Sequence, residues 1–111
     1  MATYEQVKDV PNHPEVYLID VRRPDELRQT GQIPASINIP LDELEKALNL
    51  DGAAFKSKYG RTKPEKGSKI IFSCKSGNRV LEAEKIAKGQ GFSNVVIYKG
   101  SWNEWAQKQG L

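Results

Sequence analysis

The sequence is poor in the residues that build most catalytic and metal centres. Its 111 residues include one cysteine, Cys74, and one histidine, His13. A single cysteine excludes an internal disulfide and a CxxC dithiol cycle. It fits a reducing, cytoplasmic setting and leaves an organelle open. His13 lies between Asn12 and Pro14 in a turn-like stretch and reads as a surface-loop residue. No Cys–His dyad is evident, and no His/Cys/Asp cluster provides a metal site. Long apolar runs are also missing. None approaches the ~20 residues of a membrane helix, and MATYEQVKDV has neither the basic start nor the apolar stretch of a secretory leader. Nor is there a block of one charge. The formal charge is +3, with 17 basic and 14 acidic residues interspersed, so neither nucleic acid nor a membrane is an expected partner.

What remains is the composition of an ordinary globular chain, 38% hydrophobic and 28% charged, of a length that suits one domain over residues 1–111. Four short apolar runs read as strands: Val16–Asp20, Ser36–Ile39, Lys69–Ser73 and Asn94–Tyr98. Runs apolar on both faces suit a parallel sheet covered by helices. Helical spacing fills the intervals. Leu41, Leu44 and Leu48 follow Pro40, and Val80, Leu81, Ala83, Ile86 and Ala87 form an amphipathic stretch that GQG ends. PDELRQTG, DGAAFKSKYG and WNEWAQKQ supply shorter helices, and RTKPEKGS a polar loop. This alternation predicts one α/β domain with a central, mostly parallel sheet flanked by helices and right-handed crossovers.

Cys74 falls between the Lys69–Ser73 strand and the best helix in the sequence. Ligands of open parallel sheets bind beyond the carboxyl ends of strands. After the cysteine come Lys75, Ser76, Gly77, Asn78 and Arg79. Gly77 lets the backbone curl so that successive N–H groups turn inward, and the helix start adds unpaired N–H groups and a positive dipole end. Such a nest binds an anion or holds a thiolate, and the Lys75 and Arg79 cations favour the ionised thiol. The competing reading is a buried core thiol, common for free cysteine, although that role requires neither the polar loop nor the cations. Four residues, KSGN, separate Cys74 from Arg79. Cysteine phosphatases have one more, so this smaller ring of amides suits an added sulfur atom better than a phosphoryl group.

Three motifs in order give the chain a resemblance to the rhodanese (thiosulfate sulfurtransferase) family in its single-domain form. LIDVRRPDELRQTGQIPASINIP, from Leu18 to Pro40, resembles the family's N-terminal signature. IIFSCKSGNR resembles its strand and active-site loop. YKGSWNEW, from Tyr98 to Trp105, resembles its closing segment, with Ser101 where many relatives have a second glycine. The resemblance implies a sheet of about five strands, with Tyr4–Val7 as a small edge element. It implies that Cys74 accepts a sulfane sulfur inside a cradle made by Lys75, Ser76, Gly77, Asn78 and Arg79. Asp20 and Arg22 then become supporting ion-pair or hydrogen-bond residues near the site. It also implies transfer from thiosulfate or a similar small donor, through a persulfide, to cyanide, a small thiol or a thiol protein, with no cofactor and no metal. No second rhodanese-like half is present to shape the pocket from the other side, and the residue at Lys75 differs from that of many relatives.

Individual residues keep two readings. Arg79 in the first helical turn opposes the helix dipole unless an anion compensates it. Lys75 is either a solvated loop lysine or a point of attraction for an anionic donor. Trp105 reads as packing for the last helix, and Trp102 as packing or a pocket wall. The rival functions are a sulfur-carrier or protein-interaction module without turnover, and a small cysteine phosphatase or arsenate reductase, which the short loop disfavours.

Overall fold

In the computed structural model, which describes residues 1–111, the four apolar runs form one parallel sheet. The strands are β1 (Tyr17–Asp20), β2 (Ser36–Asn38), β3 (Ile70–Ser73) and β4 (Val95–Ile97). Their order is β2-β1-β3-β4, and every neighbouring pair is parallel. Ile19 lies beside Ile37 and Phe72, while Asp20 lies beside Asn38 and Ser73. All four residues of β1 and of β3 are buried, as expected for central strands covered on both faces. The edge strands are shorter, and β2 is only half buried.

Six helices cover the sheet: α1 (Tyr4–Lys8), α2 (Pro24–Thr30), α3 (Leu41–Asn49), α4 (Gly52–Tyr59), α5 (Arg79–Gly89) and α6 (Ser101–Gln109). Alternation along the central strands sends successive side chains to two cores. Ile19 and Phe72 pack with Leu44, Leu48, Phe55, Val80, Ala83 and Ala87 from α3, α4 and α5. Leu18 and Ile71 pack with Val7, Ile33, Trp102 and Trp105 on the other side. Each such large side chain contributes about 1.5–3 kcal/mol by leaving water. Local signals set the helix ends. Asp51 caps α4 by accepting the Ala54 N–H at 2.8 Å, and Gly60 ends it at φ 75°, a conformation that costs glycine little.

The expectation of about five strands with an edge element at Tyr4–Val7 is corrected: the sheet has four strands, and Tyr4–Lys8 is helix α1. The reason is a capping box. Thr3 Oγ1 accepts the Gln6 N–H at 3.1 Å, and Gln6 Oε1 accepts the Thr3 N–H at 2.9 Å, which satisfies two helix-end donors reciprocally. One ladder-like bond remains before it, from the Ala2 N–H to the Ile97 carbonyl at 2.8 Å. The carboxyl ends of the central strands lie together. The Asp20–Arg22 turn leaves one, and Cys74 leaves its neighbour.

Candidate active site

Cys74 is the first residue past β3, and the chain curls immediately so that the Gly77 N–H reaches its Sγ at 3.2 Å. Gly77 has φ 90°, open to glycine and costly for other residues. A Cβ there would also overlap the Lys99 carbonyl oxygen. The N–H groups of Lys75, Ser76, Asn78 and Arg79 donate to no acceptor in the protein. The loop therefore holds four unpaired backbone donors beside the one that reaches the sulfur, a composition suited to an anion. Cys74 itself is 1% exposed and also packs against the α3–α5 core. The residue is thus packed in the core while its sulfur accepts the Gly77 N–H.

Two helices begin at this loop. α5 starts at Arg79, directly after Asn78. α6 reaches it from the other side, where the Trp102 N–H donates to the Cys74 carbonyl at 2.9 Å and the Asn103 N–H to the Lys75 carbonyl at 3.0 Å. Positive dipole ends of both helices are therefore directed at the loop. At the start of α6, Ser101 is fully buried with φ 53°, an uncommon conformation for a side-chain-bearing residue. Its Oγ accepts the Cys74 N–H at 3.1 Å, donates to the Tyr98 carbonyl at 2.8 Å and lies 3.7 Å from Sγ.

The Arg79 guanidinium makes no hydrogen bond to the sulfur. It forms a bidentate pair with Glu26 at 2.6 and 2.9 Å, which ties α2 to the start of α5. Arg79 holds Glu26 down to about 2, while Glu26 pushes the Arg79 guanidinium up. Asp20 and Arg22 form a buried ion pair at 2.8 Å. Thr30 Oγ1 and the Gly31 carbonyl accept further Arg22 bonds at 2.9 and 3.1 Å, so the buried charge is well satisfied. The guanidinium also lies 4.9 Å from the centre of the Trp102 ring. Trp102 is 7% exposed. It packs in the α6 core and lines a cleft of about 50 Å³ with Arg22, Glu26, Gln29, Thr30 and Lys75.

Lys75, Ser76 and Asn78 are exposed at the rim, and the Asn78 amide reaches Ser76 Oγ at 3.4 Å. A separate depression of about 370 Å³ is lined by Arg23, Leu41 and Arg79. The largest depression, about 550 Å³, lies along α1 and holds no nucleophile. His13 is elsewhere, exposed and paired with Asp9 at 2.8 Å, and that bond pushes its imidazole up.

The family model for the rhodanese-like domain matches residues 3–108. The chain belongs to this family. Rhodanese domain-containing protein CG4456 of Drosophila melanogaster is 86% identical over the whole of both chains. The thiosulfate:glutathione sulfurtransferase of Saccharomyces cerevisiae is 39% identical, over 97% of this chain and 78% of that protein. Among solved structures, the human single-domain sulfurtransferase TSTD1 superposes with a TM-score of 0.88 at 32% identity, covering 97% of this chain and 96% of that one. Sulfurtransferases thus recur among the relatives, while the Drosophila protein is named for its domain alone.

Glu26, Lys99 and Ser101 are parts of this rhodanese-like site that the sequence reading did not single out as functional. Glu26 carried a local signal, an acidic residue three positions after Arg23 in the first turn of a helix. Ser101 carried another, a serine where the family pattern has glycine. Lys99 carried none.

Proposed function

We propose that this protein is a thiosulfate-type sulfurtransferase with Cys74 as its nucleophile. The supporting observation is the Sγ held by the Gly77 N–H at 3.2 Å in a loop whose other amides have no acceptor in the protein. The thiolate attacks the outer sulfur of thiosulfate. A Cys74 S–S bond forms, the donor S–S bond breaks, and sulfite leaves with its electron pair. The terminal sulfur of the persulfide is then taken by a nucleophilic acceptor, cyanide or a thiolate such as that of glutathione, and the Cys74 thiolate returns. This is covalent catalysis by an activated thiol, with the loop amides stabilising charge on the bound sulfur.

Within this reading, Lys75 and the cleft beside Trp102 receive the anionic donor, and Ser76, Asn78 and the free Arg79 N–H complete the cradle. The Arg79 side chain acts through Glu26, fixing the loop against α2. Asp20 and Arg22 hold the adjoining strand end. The depth of Cys74 favours small donors, and a slender thiol on a protein is a further acceptor. The chemistry calls for no metal or organic cofactor. We place the protein in a reducing compartment, the cytoplasm first. Mitochondria are the alternative, since two fungal relatives are named as mitochondrial thiosulfate sulfurtransferases.

The deciding experiment is an assay of the purified chain for thiocyanate from thiosulfate and cyanide, with glutathione as a second acceptor and an aryl phosphate alongside. Thiocyanate formation without phosphate release is expected. Stable persulfide with no turnover would instead favour a sulfur carrier, and phosphate release would favour a phosphatase.

A further inference from the structure

We infer that Lys99 is a positioning residue for the Cys74 loop, gripping Gly77 with both its main chain and its side chain and thereby setting the amide that reaches the sulfur. Lys99 follows β4, 25 positions beyond the cysteine. Its carbonyl oxygen occupies the space that any Gly77 side chain would need. Its Nζ donates to the Gly77 carbonyl at 3.0 Å. Gly77 is also the residue whose N–H reaches Sγ. The carbonyl that Lys99 draws on belongs to the same peptide unit as the free Asn78 N–H, so the ammonium strengthens that donor as well.

An exposed lysine side chain gives up considerable rotamer freedom when it is held in one place. Here it is held without a carboxylate. The charged groups around the loop are Asp20 at the end of β1 and Arg22 just beyond it, Glu26 on α2, Lys75 and Arg79 on the loop and α5, and Lys99 and Glu104 near the start of α6. Arg22 pairs with Asp20 and Arg79 with Glu26, whereas Lys75 and Lys99 have no carboxylate within ion-pair distance. Lys75 is at the exposed rim, and Lys99 alone directs its charge onto a loop carbonyl. Its contribution should therefore be felt with every donor, charged or neutral, because it acts on the cradle rather than on the incoming ion.

The inference rests on Cys74 as the reactive sulfur, and its test does not require turnover. Cys74 in the full chain is alkylated with iodoacetamide, a neutral reagent, across a pH series in the wild type, Lys99→Met and Lys99→Arg. Lys99→Met should move the midpoint upward by about half to one pH unit and slow sulfur loading from thiosulfate about three- to tenfold near neutral pH. Lys99→Arg keeps the cation and a donor and should restore most of both. A Lys99→Met profile that coincides with the wild type overturns the inference, as does an equal shift in Lys99→Arg. Loss of the sulfurtransferase reading would look different: the wild type would form no thiocyanate, while the alkylation shift persisted.

Discussion

Gly77 has φ 90° and places its Cα against the Lys99 carbonyl, so a single methyl group is excluded by both dihedral and space. Gly77→Ala should lose about 2 kcal/mol or more of stability, measurable by urea unfolding. It should also lose the short N–H contact to Sγ, with slower persulfide formation in whatever fraction remains folded. An alanine variant as stable as the wild type would show that the loop relaxes freely and that its geometry is not tightly set. Cys74→Ser is the complementary change. The residue is buried, and a hydroxyl nearly fits the thiol's place, so the fold should survive with a loss of about 1–2 kcal/mol. Incubation with thiosulfate followed by intact-mass measurement should add one sulfur to the wild type and none to Cys74→Ser. Wild-type turnover in Cys74→Ser would remove Cys74 from its proposed role.

The elements meet at this loop through pairs distant in sequence, and this governs how much of the site was legible beforehand. Strands β1 and β3 were plain because VYLID and KIIFS are apolar on both faces, and α5 was plain from its spacing and from GQG. The Cys74 loop stood out as the glycine-bearing link between a strand and a helix. The resemblance implies an edge element at Tyr4–Val7, whereas the helix Tyr4–Lys8 rests on a reciprocal Thr3–Gln6 cap and on burial of Val7 alone, too short to show a helical period. Arg79 looked free to face the thiolate. Its actual partner Glu26 is 53 positions away, and only the folded chain brings the first turns of α2 and α5 within reach of each other.

That pair carries a pH signature. Glu26 is held down to about 2, chiefly by its hydrogen bonds with Arg79. Since the folded value lies below the ordinary 4.5, the stabilisation is fully present above about pH 4.5 and is lost as the pH falls toward 2. Glu26→Gln should cost about 1–2 kcal/mol near neutral pH, because it leaves a partly buried guanidinium without its charge partner. It should also flatten the part of the stability curve between about pH 5 and 2. Urea midpoints collected across that range test both, and an acid limb with the same slope as the wild type would show that other carboxylates carry it.

At the scale of the whole molecule, the formal charge of +3 is too small and too dispersed to steer a large polyanion. Local charge matters more. Internal pairing neutralises Arg22 and Arg79 at the site, leaving exposed Lys75 at the mouth as the cation available to an approaching dianion. Its effect must pass through solvent, where the screening length is about 8 Å at physiological ionic strength. Lys75→Ala should therefore lower kcat/KM for thiosulfate about three- to fivefold at low salt, shrinking toward parity as salt is raised. With an uncharged organic polysulfide as donor, the same substitution should change little at any salt concentration. The persulfide-to-cyanide step should respond less than donor loading, because the dianion is absent from it. Lys99 and the Glu26–Arg79 pair act on the cradle through hydrogen bonds at fixed distances, which salt screens far less, so their variants should retain their defects at high salt. A Lys75→Ala defect equal for both donors and indifferent to salt would assign Lys75 to the cradle as well, and would leave donor attraction to the loop amides and the two helix ends.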